Sequence, residues 1–179
     1  MAKIVDLLDK LDVNDGIKKQ RDVVREIVNN PDSVWYKYIM KLWREIDPDV
    51  LRTVFTNLVI NANVIANPKA IAAREKYQCN IPWAILMDPT SACNLHCTGC
   101  WAAEYGNKLN LDFDTLDNII MQGKELGISM YIFTGGEPLV RKDDIIALCN
   151  KHSDCMFLSF TNGTLIDEAF ADEMLRVKN

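Results

Sequence analysis

From Ile81 to Asn179, short apolar runs alternate three times with amphipathic stretches, and this rhythm constrains the fold more than any other feature. Ile81-Pro82-Trp83-Ala84-Ile85-Leu86-Met87 is apolar without alternation, which predicts a strand buried on both faces. A cysteine-rich loop follows, from Asp88 to about Asn110. Asp112 to Leu126 carries Phe113, Leu116, Ile119, Ile120 and Leu126 at helical spacing and stops at Gly127. Ser129 to Thr134 and Cys155 to Thr161 read as the second and third strands. Lys142 to Lys151 and Leu165 to Val177 read as the helices that follow them. Strand then helix, three times over, predicts parallel β/α units.

Residues 1–79 lack any strand pattern. Ile4, Leu7, Leu8 and Leu11 mark one short amphipathic helix; Ile17, Val23, Val24, Ile27 and Val28 mark a second, ending near Asn29-Asn30-Pro31. Asp32-Ser33 can cap a third, with Trp35, Ile39, Leu42 and Ile46 at three- and four-residue steps. Pro48 suits the first turn of a fourth, through Leu51, Phe55, Leu58, Val59, Ala62 and Ile65. Asn67-Pro68 is expected to open a shorter helix, Lys69 to Tyr77. The expected organisation is a helical segment, 1–79, followed by an α/β unit, 80–179.

Composition excludes several classes. Hydrophobic residues make up 49% and charged residues 25%, which is ordinary globular usage and not that of a disordered or fibrous chain. A net charge of −5 argues against a nucleic-acid partner. The charge is uneven: residues 1–80 hold 13 basic and 11 acidic side chains, residues 81–179 hold 7 and 14. Acidic residues interrupt the N-terminus, so no signal peptide is read there. The most apolar stretch, Val54 to Ala66, is broken by Thr56, Asn57, Asn61 and Asn63 and is shorter than the ~20 residues of a membrane span. The expectation is a cytoplasmic chain with reduced cysteines. Trp35, Tyr36, Tyr38 and Trp43, interleaved with Lys37, Lys41 and Arg44, could touch lipid. The preferred expectation is that these aromatics pack onto the α/β unit and the basic residues are solvated.

Three of the six cysteines form C-x3-C-x2-C: Cys93, Cys97 and Cys100, directly after the first strand. Three thiolates from one short loop can hold a metal centre, with one ligand too few for a closed four-thiolate site. A cluster held by three cysteines leaves one iron open. The alternative is zinc with His96 as fourth ligand, although zinc sites usually show two separated cysteine pairs. Cys149 and Cys155 lie on a predicted helix and strand, where cysteine behaves as a small hydrophobe. Cys79 lies at the segment boundary.

With Gly135-Gly136-Glu137-Pro138 after the second strand, the cysteine loop resembles the radical S-adenosylmethionine (radical SAM) superfamily. Ser159-Phe160-Thr161-Asn162-Gly163, after the third strand, is similar to that family's Asn-Gly turn. Each motif sits at the carboxyl end of a predicted strand, where parallel β/α folds place their chemistry. The resemblance implies that Cys93, Cys97 and Cys100 bind a [4Fe-4S] cluster whose fourth iron is chelated by S-adenosylmethionine. Reductive cleavage would then yield a 5′-deoxyadenosyl radical that acts on a substrate these residues do not reveal. It also implies an electron donor such as flavodoxin or ferredoxin.

Gly135, Gly136, Glu137 and Pro138 would lie along the methionine part of S-adenosylmethionine. Glycines allow close backbone approach, and an acidic side chain or strand-end carbonyls can accept from an ammonium. Ser159, Thr161 and Asn162 are further candidate contacts. Two departures stand out. Gly99 occupies a position that is often aromatic in the family, leaving Trp101 or Tyr105 as substitutes beside adenine. His96 falls at a variable position and is read as solvent-facing or adjacent to the ligands.

The family core is a partial (β/α)6 TIM-like barrel, and a β/α unit takes ~30 residues. Residues 81–179 hold about three. The expectation is therefore a truncated barrel with an open apolar face and an unpaired third strand, completed by another chain if the enzyme is split. The alternative is a non-catalytic remnant or a zinc-binding module using the same cysteines.

Overall fold

The computed structural model describes Asp6, Asp9, Lys10 and residues 18–179, apart from the side chains at 103 and 104. The expected first helix, with Ile4, Leu7, Leu8 and Leu11, and the position of Ile17 lie outside the described residues. Helices α1 (Lys18–Val28), α2 (Val34–Glu45) and α3 (Pro48–Phe55) come first. Ser33 caps α2 as expected, its hydroxyl accepting from the Tyr36 N–H at 3.0 Å. Asp47 caps α3, with Pro48 in the first turn.

The expected break at Asn67-Pro68 is absent. From α3 the chain runs through a π-helical segment, Thr56–Ile65, directly into α4 (Ala66–Tyr77). The Ala66 N–H reaches back to the Asn61 carbonyl, the five-residue step of a π turn. Pro68 cannot donate, and its ring crowds the carbonyl four residues back. The helix nonetheless runs on through Pro68, entered from the wider π turn just before it.

The second half holds β1 (Ala84–Met87), α5 (Phe113–Glu125), β2 (Met130–Phe133), α6 (Lys142–Lys151), β3 (Met156–Ser159) and α7 (Glu168–Val177). The three strands pair in parallel in the order β1-β2-β3, so this is the expected α/β architecture with an open sheet. Tyr131 and Phe133 are fully buried beneath Leu116 and Ile120 of α5 and Leu148 of α6, and Phe157 stacks on both rings. One face of the sheet is thus the core.

The other face corrects the expectation of a first strand buried on both sides. Leu86, Ile132 and Leu158 stand in register on it, and Leu86 is 58% exposed and Leu158 41%. Period-2 geometry sends alternate side chains to opposite faces, and among the described residues the helices cover only one. On β3, the Phe157 N–H donates to the Asn179 carbonyl at 2.8 Å.

The π segment and α4 lie against the turns that enter β2 and β3. Asn57, buried, donates to the Ser153 and Cys155 carbonyls at 2.9 and 2.8 Å, and Asn61 donates to that of Asp154 at 3.0 Å. Gly127, at φ +85°, passes so close to α4 that a Cβ there would sit 2.4 Å from the Ala66 carbonyl oxygen. Ala70 and Ala73 of α4 belong to the same core as the sheet. The helical segment therefore covers the amino ends of the strands, leaving the carboxyl ends for the site.

Candidate cofactor-binding site

The cysteine loop rises from β1 and is pinched at its base. The Ser91 N–H donates to the Leu109 carbonyl at 2.8 Å, and the Leu111 N–H to that of Pro89 at 3.1 Å. Buried Thr90 donates its hydroxyl to the Asn110 side-chain oxygen at 2.6 Å. Arg141 adds a brace from the far side, donating to the Leu111 carbonyl at 2.8 Å. The pinch turns twenty residues of irregular chain into a closed loop with a rigid neck, lowering the entropy cost of presenting what lies between.

Within that loop Cys93 and Cys100 are half-buried and Cys97 is exposed, all as free thiols. The Leu95 N–H points at the Cys93 sulfur from 3.4 Å. Among the described residues no three His, Cys, Asp or Glu side chains converge as a metal site, so the three sulfurs stand apart, and His96 is exposed. The remaining cysteines behave as the sequence suggests. Cys149 and Cys155 are buried, and burial pushes both thiols up to about 12, which leaves them protonated and inert. Cys79 is exposed.

Gly135 and Gly136 hold the neck. The Gly136 N–H donates to the Thr90 carbonyl at 3.0 Å, and the Glu137 N–H to that of Ala92 at 2.8 Å. A Cβ on Gly136 would sit 2.2 Å from the Ala92 oxygen; one on Gly135, at φ +104°, would sit 2.6 Å from that of Thr90. The close approach these glycines permit is therefore to the stem of the cysteine loop. Pro138 is buried behind them.

Glu137 is almost completely buried at 1% exposure, and its carboxylate is engaged by the protein. One oxygen accepts from the Leu139 N–H at 2.8 Å and the Thr161 hydroxyl at 2.7 Å; the other accepts from the Asn162 N–H at 2.8 Å. Charge-assisted bonds of this kind are the strong class. Glu137 thus ties the end of β2 to the turn after β3.

Asn162 carries the tie onward. Its amide donates to the Asn94 side chain at 3.0 Å and lies 4.0 Å from the Cys93 sulfur. The Asn94 amide donates to the Thr164 hydroxyl at 2.7 Å, and Thr164 donates back to Asn162. Asn162 thus lies beside Cys93, with Thr161 linked to it through Glu137 and Gly136 bonded to the stem of the same loop. Ser159, in β3 opposite Phe133, makes no side-chain bond to them in the structure described. Asn94 and Thr164 are members that sequence reasoning missed. Their only signal was position, Asn94 beside a cysteine and Thr164 two residues past Asn162.

Beside the neck, at the free edge of β1, lies a cavity of about 780 Å³ lined by Leu86, Asp88, Trp101, Tyr105, Lys108 and Gly135, among others. Trp101 and Tyr105 meet edge to face, their ring centroids 5.9 Å apart. Both candidate aromatic contacts therefore face one space.

Three motifs at the carboxyl ends of three parallel strands, joined by hydrogen bonds into one cradle, define a class that comparison with known proteins also finds. The model of the Radical SAM superfamily matches residues 87–179, and the chain belongs to that superfamily. An uncharacterized protein of Methanocaldococcus jannaschii is 36% identical over 97 residues, 50% of this chain and 34% of that protein. The PqqA peptide cyclase of Granulibacter bethesdensis is 30% identical over 100 residues, 53% of this chain and 26% of the relative. The chain thus spans well under half of these relatives' length. Streptococcus suis SuiB, solved bound to S-adenosylmethionine, superposes with a TM-score of 0.50 at 21% identity over 63% of this chain and 27% of that one. The likeness to SuiB is one of fold.

Proposed function

We propose that the chain binds a [4Fe-4S] cluster through Cys93, Cys97 and Cys100 and uses it to cleave S-adenosylmethionine. The observation that carries this reading is the joining of the three-cysteine loop to the Gly-Gly-Glu-Pro and Asn-Gly turns through Glu137 and Asn162. The donor set suits such a cluster: three free thiols within eight residues, none of them deeply buried, on a loop fastened at its neck and, beside Cys93, through Asn94. When bound, the cluster would supply one electron that breaks the S–C5′ bond, releasing methionine and a 5′-deoxyadenosyl radical.

The protein's own contribution is orientation. Asn162 and Asn94 hold Cys93 beside the ends of β2 and β3. With the Glu137 carboxylate occupied, the backbone carbonyls at the end of β2 are the better acceptors for the ammonium of S-adenosylmethionine. Trp101 and Tyr105 offer aromatic faces for adenine or substrate. The electron would come from a small redox protein such as flavodoxin or ferredoxin. We assign the chemistry to residues 80–179, with residues 1–79 as the helical segment that packs against the amino ends of its strands.

Anaerobic reconstitution with iron and sulfide tests the reading. Broad absorption near ~400 nm, a reduced-cluster EPR signal that changes with S-adenosylmethionine, and 5′-deoxyadenosine after reduction are expected. Retained zinc with no cluster would overturn it.

A further inference from the structure

The sequence leaves α2 with two readings, and the structure removes the preferred one. Trp35, Tyr38 and Trp43 are 63%, 51% and 60% exposed, and no residue of α2 is buried. The aromatics therefore do not pack onto the β/α layer, even though the helix is well capped and α4, later in the same helical segment, contributes to the core. At 100° per residue, Lys37, Lys41 and Arg44 fall in one narrow arc of α2, and Trp35, Tyr38, Trp43 and Ile46 in a broader arc on the roughly opposite face. The exposed apolar surface continues onto Val23 of α1 and Phe55 of α3.

We propose that α2 docks the chain on an anionic lipid bilayer, lying in the headgroup layer with Trp35, Tyr38 and Trp43 inserted and Lys37, Lys41 and Arg44 on the opposite, polar face, drawn to the anionic surface potential. Three observations favour lipid over a protein partner. The exposed residues are the amphipathic aromatics that settle at membrane interfaces, an apolar ring body with a polar N–H or O–H. A cationic arc lines the same helix, the pattern of helices that lie on a membrane rather than cross it. The charge of the chain is also polarised. Residues 81–179 hold 7 basic against 14 acidic side chains, so an anionic surface repels the cofactor-bearing half and attracts the helical one. No helix among the described residues is long and apolar enough to cross a membrane, which leaves surface docking as the mode.

The test is co-sedimentation of the purified chain with vesicles of phosphatidylcholine alone or mixed equally with phosphatidylglycerol. A W83F/W101F background leaves Trp35 and Trp43 as the only tryptophan fluorophores. Binding to the anionic vesicles, weakened by salt and accompanied by a blue shift of emission, is expected. K37E/K41E/R44E should weaken it tenfold or more, because each lost charge removes a contact to the surface potential. W35A/W43A should weaken binding to a similar degree; all five positions are exposed, so circular dichroism should match the parent. The proposal is overturned by no binding to anionic vesicles at low salt, by binding that the variants leave unchanged, or by light scattering that shows a dimer dissociated by W35A/W43A.

Discussion

The two ends of the sheet are built with the same device and put to opposite uses. At the amino end, Asn57 reaches from the helical segment and spends both amide hydrogens on carbonyls of the turn before β3. At the carboxyl end, Asn162 reaches from the turn after β3 and bonds Asn94 beside a thiol. Asn57 is sealed from water, whereas Asn162 sits in the open. A buried amide bonded to backbone acts as fixed cement. An exposed amide bonded to a loop side chain can let that loop close around a ligand. One end is finished by the protein, and the other is left with three free thiols to be finished by something else.

The largest effect should come at the open end and leave the closed end untouched. Substituting Cys93, Cys97 or Cys100 by Ser should abolish cluster incorporation, read as lost absorption near ~400 nm, with little change in urea midpoint. If any one serine variant kept a full cluster, the division of labour would fail. Next is Gly136→Ala, whose new methyl would meet backbone oxygen 2.2 Å away. Backbone cannot step aside as a flexible side chain can, so a loss of about 3 kcal/mol or more is expected by urea unfolding.

Asn57→Ala should cost about 1–3 kcal/mol, because the Ser153 and Cys155 carbonyls each lose a donor at a buried contact, the latter keeping only the Asn179 amide at 3.3 Å among side-chain donors. Asn162→Ala, at the exposed end, should cost less than 1 kcal/mol, since water replaces the lost partners. It should instead lower cluster occupancy. Equal destabilisation by the two substitutions would break the comparison directly. Glu137→Gln should cost about 1–2 kcal/mol, because an amide hydrogen would then face a donor now satisfied by a carboxylate oxygen.

The smallest effect concerns acid. Burial alone would raise the Asp117 carboxyl, but hydrogen bonds from Lys151 and His152 outweigh it and hold the group below its ordinary value. The folded state therefore binds its proton less readily than the unfolded chain. This contribution is fully present above the ordinary carboxylate range and is lost as pH falls through the folded value. Asp117→Asn should flatten that part of the acid stability curve, measured by urea midpoints from neutral pH downward.

Much of this arrangement was legible beforehand. The alternation of apolar runs implied three parallel β/α units, and the cap chemistry at Ser33 and Pro48 placed two helix starts. These signals are local: strand period, capping and turn residues act within a few positions. The unbroken run through Pro68 was not legible, because a π turn shows no residue signature of its own. Nor was the exposure of Leu86 and Leu158, since an apolar run looks alike whether or not another layer covers it. Asn94 and Thr164 were hidden for a related reason. Short polar residues are common in loops, and only the folded turn shows which ones meet.

By itself the sequence determined the chemistry on offer. The spacing of Cys93, Cys97 and Cys100, and the order of the two motifs after them, are properties of the chain as written. Tertiary structure decided what each group is free to do. It engaged the Glu137 carboxylate with three donors, turned Gly136 toward the cysteine stem, and left the aromatics of α2 facing water. The reason is that availability depends on partners distant in sequence. A carboxylate is free or taken, and an aromatic ring covered or bare, according to what the fold brings beside it.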